Sequence, residues 1–89
     1  MQNIKKVKYS PNGSDLILLS SRSIRVIDAF SFKLKSEIIE KMSNFIDICF
    51  GTNGIFMYGL SEAGTVYTYD AYNYRKIDSI KNQYTDKII

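Results

Sequence analysis

Short runs of the chain alternate hydrophobic and polar residues with a period of two, and turn-forming residues separate the runs. Ile46, Ile48 and Phe50 alternate with Asp47 and Cys49, and Val7 and Tyr9 alternate with Lys6 and Lys8. Successive side chains of a strand point to opposite faces, so each run predicts a strand with one apolar side. Asn12-Gly13 and Asn53-Gly54 follow, and this dipeptide readily takes the positive φ angles of a hairpin turn. The next runs, Leu16 to Leu19 and Ile55 to Leu60, are nearly continuous in apolar residues, the pattern of strands covered on both faces. Polar breaks follow at 20–23 and 61–64. Third runs, Ile24 to Ile27 and Thr65 to Tyr69, are rich in β-branched and aromatic residues. They end on Asp28 and Asp70, whose short side chains can bond the backbone amides of a turn.

These paired signals are two copies of one unit. Sliding the sequence on itself by 41 residues places Val7 on Ile48, Tyr9 on Phe50 and Asn12-Gly13 on Asn53-Gly54. One extra residue enters near Glu62-Ala63-Gly64, and an offset of 42 then places Ile24 on Val66, Asp28 on Asp70 and Ile38 on Ile80. The fourth segment of the first copy, KLKSEIIEKM, also has helical spacing at Leu34, Ile38 and Met42. Its counterpart YNYRKIDSI reads as a strand, and one repeat implies one structure. The expectation is therefore all-β, with strands near 4–9, 15–20, 23–28, 33–39, 45–50, 55–60, 65–70 and 74–80. The repeats occupy 1–41 and 42–80, and 81–89 is a tail or the start of a further strand.

VKYSPNG (Val7 to Gly13) resembles V-x-F-S-P-D-G, the innermost strand and turn of the WD-repeat family. SSRSIRVID (Ser20 to Asp28) and GTVYTYD (Gly64 to Asp70) are similar to its third strand, which ends in Trp-Asp. The resemblance covers about residues 4–80 and implies two four-stranded antiparallel blades of a β-propeller. It departs from the family at Ile27-Asp28 and Tyr69-Asp70, which replace the Trp-Asp pair, and in lacking any histidine. The family's side-chain hydrogen-bond network is therefore absent, and apolar packing between blades must replace it. Two blades do not close a propeller, so adjoining blades or self-association are expected to cover the open faces.

Composition bears mainly on chemistry. With 45% hydrophobic residues the chain is too apolar to stay disordered, and its 89 residues set one small domain as the ceiling. No run approaches the length of a spanning helix. MQNIKKVKYS lacks a signal-peptide core, so a cytoplasmic location is expected, with cytoskeletal or nuclear assemblies included. The single cysteine, Cys49, excludes an internal disulfide. Set between Ile48 and Phe50, it is expected to be buried and slow to react. The lack of histidine leaves no zinc set and removes the commonest general base. The expectation is a non-enzyme with no catalytic residues, cofactor or metal. Asn12-Gly13-Ser14 matches a glycosylation acceptor but reads as a hairpin turn, and the glycines at 51, 54, 59 and 64 form no phosphate loop. Asp47 reads as the polar side of a strand and Asp70 as a turn residue, rather than as an acid–base pair.

The net charge of +3 resides in the first 40 residues, chiefly in Lys5, Lys6 and Lys8, which are expected to form a solvated edge. Tyr67, Tyr69, Tyr72 and Tyr74, with Arg75 beside them, are the candidate partner-binding residues. Three roles fit them: filler between blades, anchors for a protein partner, or stacking platforms for single-stranded bases. The resemblance implies a non-catalytic scaffold segment that binds other proteins and takes part in assembling a multiprotein complex. The alternative is RNA binding through the basic first blade and the tyrosine-rich second. No membrane contact is expected.

Overall fold

The computed structural model describes residues 3–41 and 43–80. These residues form eight strands in two four-stranded antiparallel sheets. The first sheet contains β1 (Ile4–Tyr9), β2 (Asp15–Ser20), β3 (Ser23–Asp28) and β4 (Leu34–Ile39), ordered as in sequence. The second contains β5 (Phe45–Phe50), β6 (Phe56–Ser61), β7 (Val66–Asp70) and β8 (Lys76–Ile80), again in order. The segment with helical spacing is strand β4, held to β3 by the ladder from Ser23↔Ile39 to Ile27↔Leu34. The expected tail, 81–89, lies outside the described residues.

The repeat extends to irregularities of the backbone. β1 and β5 each carry a bulge, at Lys5 and Ile46, the same position in the two copies. β4 and β8 carry another, at Lys35 and Ile77. Phe32 and Tyr74 both adopt φ of 60° in the turn before the fourth strand. The aspartates that end β3 and β7 organise this turn. Asp28 Oδ1 accepts bonds from the amides of Phe30 and Ser31, and Asp70 Oδ1 from those of Tyr72 and Asn73. These amide bonds hold the Asp28 carboxyl below its ordinary pKa.

The bulges correct the simple alternation read from β5. Because Ile46 is the extra residue, Phe45 and Ile48 face inward, while Ile46 stays exposed. A bulge places two residues opposite one on the neighbouring strand and so resets the inward phase. Cys49 is also exposed, contrary to the expectation of a buried thiol. It pairs with Tyr58 on the outward side of the second sheet, and its apolar neighbours in sequence point the other way.

The two sheets stack as layers, one face of each covered by the other. Ile17, Leu19, Ile24, Val26 and Ile38 of the first pack against Phe45, Ile48, Met57, Tyr69 and Tyr74 of the second. A backbone bond also joins the layers: the Phe45 amide donates to the Ser21 carbonyl at 2.8 Å. In β1 the lysines turn toward the second sheet, and Val7 and Tyr9 lie outward, 55% and 66% exposed. In β2 one face is covered while Leu16 and Leu18 are half-buried, so the strand is not sealed on both sides.

Candidate functional site

The junction between the sheets gathers polar side chains that bond partners far away in sequence. At one end Asp15, only 5% exposed, accepts from Lys35 Nζ at 2.6 Å and from Tyr74 Oη at 2.7 Å. Lys35 is raised in pKa by its bond to Asp15. Tyr74 is raised above the usual phenol range by burial and then by that carboxylate. A cleft of about 420 Å³ opens here between the first hairpins of the two sheets, lined by Ser10, Asn12, Asn53 and Tyr72 among others.

At the other end Glu40 accepts from Tyr69 Oη and Lys76 Nζ, both at 3.0 Å. Burial first, and the Glu40 carboxylate second, push the Tyr69 phenol far above its ordinary value. Lys76 also lies 5.5 Å above the Tyr67 ring, which meets Phe45 edge-on at 5.9 Å. The Ser43 and Tyr67 hydroxyls bond each other.

The basic cluster of β1 stays solvated, as expected, but it also bonds across this junction, with the Lys6 and Lys8 side chains 43% and 40% exposed. Lys5 and Lys8 donate to the carbonyls of Phe45 and Ile48 at 2.9 and 2.6 Å. Lys6 donates to Asp47 at 2.9 Å and holds that carboxyl below its usual range. Among the described residues no buried side-chain nitrogen or oxygen lacks a hydrogen-bond partner.

The candidate tyrosines therefore separate. Tyr67, Tyr69 and Tyr74 sit in the junction, whereas Tyr72 is 90% exposed and Arg75 faces solvent. No family model matches the chain, and none of the curated proteins compared with it does so. No helix among the described residues is long and apolar enough to cross a membrane. Sequence reasoning missed Asp15, Lys35 and Glu40. The signal at Asp15 was a carboxylate opening an otherwise apolar run, a placement that requires a buried partner.

What remains without a covering layer among the described residues is largely apolar sheet. On the outer side of the first sheet Val7, Tyr9, Leu34 and Ile39 are each more than half exposed. The Arg25–Glu37 pair, at 3.0 Å, crosses its centre. On the outer side of the second sheet Tyr58, Leu60 and Val66 are half-buried beside the exposed Ile80.

Proposed function

We propose that this chain is a non-catalytic protein-interaction unit, of the scaffold kind that the WD-like motifs imply, taking part in the assembly of a multiprotein complex. The supporting observation is the outer face of the first sheet. Four six-residue strands, at about 3.3 Å per residue and about 4.8 Å apart, present roughly 400 Å² before side-chain relief is counted. Much of this face is apolar around the Arg25–Glu37 pair, and the largest apolar patch of a protein is often functional. RNA binding is the weaker reading, because Tyr67, Tyr69 and Tyr74 pack in or against the core and Lys5, Lys6 and Lys8 already bond the second sheet.

The test is cross-linking in cells with a photoreactive phenylalanine analogue at position 9, on the outer face, against the same analogue at Thr52 on a turn. Protein adducts at position 9 but not at 52 support the reading. Nucleic-acid adducts, or no adducts at position 9, refute it. An accompanying steep loss of binding with salt marks phosphate contacts and favours the RNA reading.

A further inference from the structure

The repeat makes the internal junction a template for the open faces. An offset of 41 before the slip and 42 after it carries the packed face of the first sheet onto the outer face of the second. It carries the packed face of the second sheet back onto the outer face of the first. The sheets therefore stack front to back, which is a heterologous contact, and each end of the stack exposes the complement of the other.

We propose that the outer face of the first sheet docks on the outer face of the second sheet of another copy of this chain, in the register of the internal junction. This inference rests on the protein-interaction reading and names the partner.

Three sets of replacements match across the two ends. The buried polar group of the junction joins Asp15, Lys35 and Tyr74. Their counterparts on the open faces are Phe56, Ile77 and Phe32, so all three have become apolar together. A lone change would strand a buried carboxylate or hydroxyl; the joint change leaves a dry contact. Size is matched as well. Gly59 lies against Phe45 and Ile24, where an added Cβ would stand 3.1 Å from the ring of Phe45 and 3.3 Å from Ile24 Cδ1. Their counterparts are Leu18, Ile4 and Val66. The carbons gained at the glycine position are lost at the other two, and cores tolerate swaps that conserve total volume. Charge, finally, is matched with its sign reversed. Lys6 meets Asp47 inside the chain, and the repeat places Asp47 of one copy opposite Lys6 of the next.

A single sheet face is small against the roughly 800 Å² per partner of a stable complex. Closing a ring uses both faces of every chain and adds one junction without bringing in another copy, which doubles the buried area when the ring has two copies. Closure of about four to eight sheets corresponds to roughly two to four copies.

Sedimentation tests this with the whole chain and two variants, Val7→Arg on the outer face of the first sheet and Thr68→Arg on that of the second. Both sites are exposed or half-exposed, so the sheets remain intact, checked by circular dichroism. The wild type should assemble from its 10.2 kDa mass into a discrete multimer whose size stops growing with concentration. Each variant alone should assemble about tenfold or more weakly. Mixing them should restore a one-to-one pair, because each supplies the face that the other has lost. In the wild type, native labelling of Cys49 should slow as concentration rises, since it lies on the docking face of the second sheet. The same slowing should be absent in Val7→Arg.

A wild type that stays monomeric overturns the proposal, as does a variant pair that mixing does not rescue. If position 9 then cross-links a different protein, the interaction reading stands while self-docking fails. If it cross-links nothing, both fail.

Discussion

Replacing Gly59 by alanine puts one methyl group into the tightest part of the junction. Gly59 has no positive φ, so backbone conformation does not oppose the change. The opposition is steric: the new Cβ stands 3.1 Å from Phe45 Cε1 and 3.3 Å from Ile24 Cδ1. Phe45 and Ile24 are fully buried, and Tyr67 braces the Phe45 ring edge-on, so the neighbours yield little. Overpacking of this kind costs about 1–3 kcal/mol. Removing glycine from the unfolded chain returns about 0.4–1 kcal/mol. The net expectation is a loss of about 1–2 kcal/mol, or roughly 5–15 °C in Tm for a domain of this size. Urea denaturation at one fixed protein concentration measures it. Phe45→Leu in the same chain removes the obstructing ring. In a double-mutant cycle it should therefore recover about 1 kcal/mol beyond additivity, which otherwise holds within about 0.5 kcal/mol. If Gly59→Ala is as stable as the parent, or the cycle is additive, the tight approach of the two sheets at this point is refuted.

Tyr74→Phe removes the phenol bonded to Asp15 and leaves that buried carboxylate with Lys35 alone, a loss of about 1–3 kcal/mol in urea unfolding. A change below the error of the method counts against the buried bond. Tyr69 and Tyr74 are raised above the unfolded phenol value of about 10. Their contribution to stability is thus complete below that pH and is lost as pH rises through the folded values. Tyr69→Phe and Tyr74→Phe should each flatten the alkaline limb of the stability profile. Asp47, lowered in pKa by Lys6, acts in the opposite sense: its contribution holds above the unfolded carboxylate range and falls away in acid. Lys6→Gln should therefore soften the acid limb. Cys49 in dilute protein should react with a thiol reagent nearly as fast as in denaturant, and strong native protection there would contradict its outward position.

All eight strands were legible, because strand periodicity, Asn-Gly turns and the aspartates closing the third strands recur in both copies. Which side of each strand faces inward was less legible. A bulge adds one residue and inverts the phase of everything beyond it, and nothing in FIDICF marks Ile46 as the extra residue rather than a core position. Cys49 was misplaced for a different reason: its neighbours Ile48 and Phe50 suggested burial, although strand alternation puts it on the opposite face from both. In β1 the difficulty was different, since both faces of a stacked sheet carry apolar groups and the lysines looked like the solvent side. They face the second sheet because its carbonyls and Asp47 offer acceptors within reach of long side chains. The tyrosine cluster was visible as a cluster, but its division between junction and solvent depends on the turn before β8, which residue spacing does not reveal.

That turn also separates the two copies most sharply. Phe32 and Tyr74 occupy one position of the repeat and share a φ of 60°, a conformation that costs a bulky side chain of order 1 kcal/mol or more. For Tyr74 the cost is offset, since the ring is 5% exposed and its hydroxyl reaches Asp15. Phe32 carries the same strain with its ring 70% exposed and no covering layer among the described residues. Glycine at each position relieves the backbone equally, so the sign of the effect reports what the side chain does. Phe32→Gly should raise the stability of dilute, unassembled protein by up to about 1 kcal/mol. Tyr74→Gly should lower it by about 3–5 kcal/mol through the lost ring and hydrogen bond. Phe32→Gly should also weaken association of the copies, because the ring takes the place of Tyr74 in the docked register. Equal losses at both positions in dilute protein would mean that Phe32 already packs within its own chain. A strained, exposed aromatic that lowers the stability of its own sheet is then best explained by a surface outside the chain.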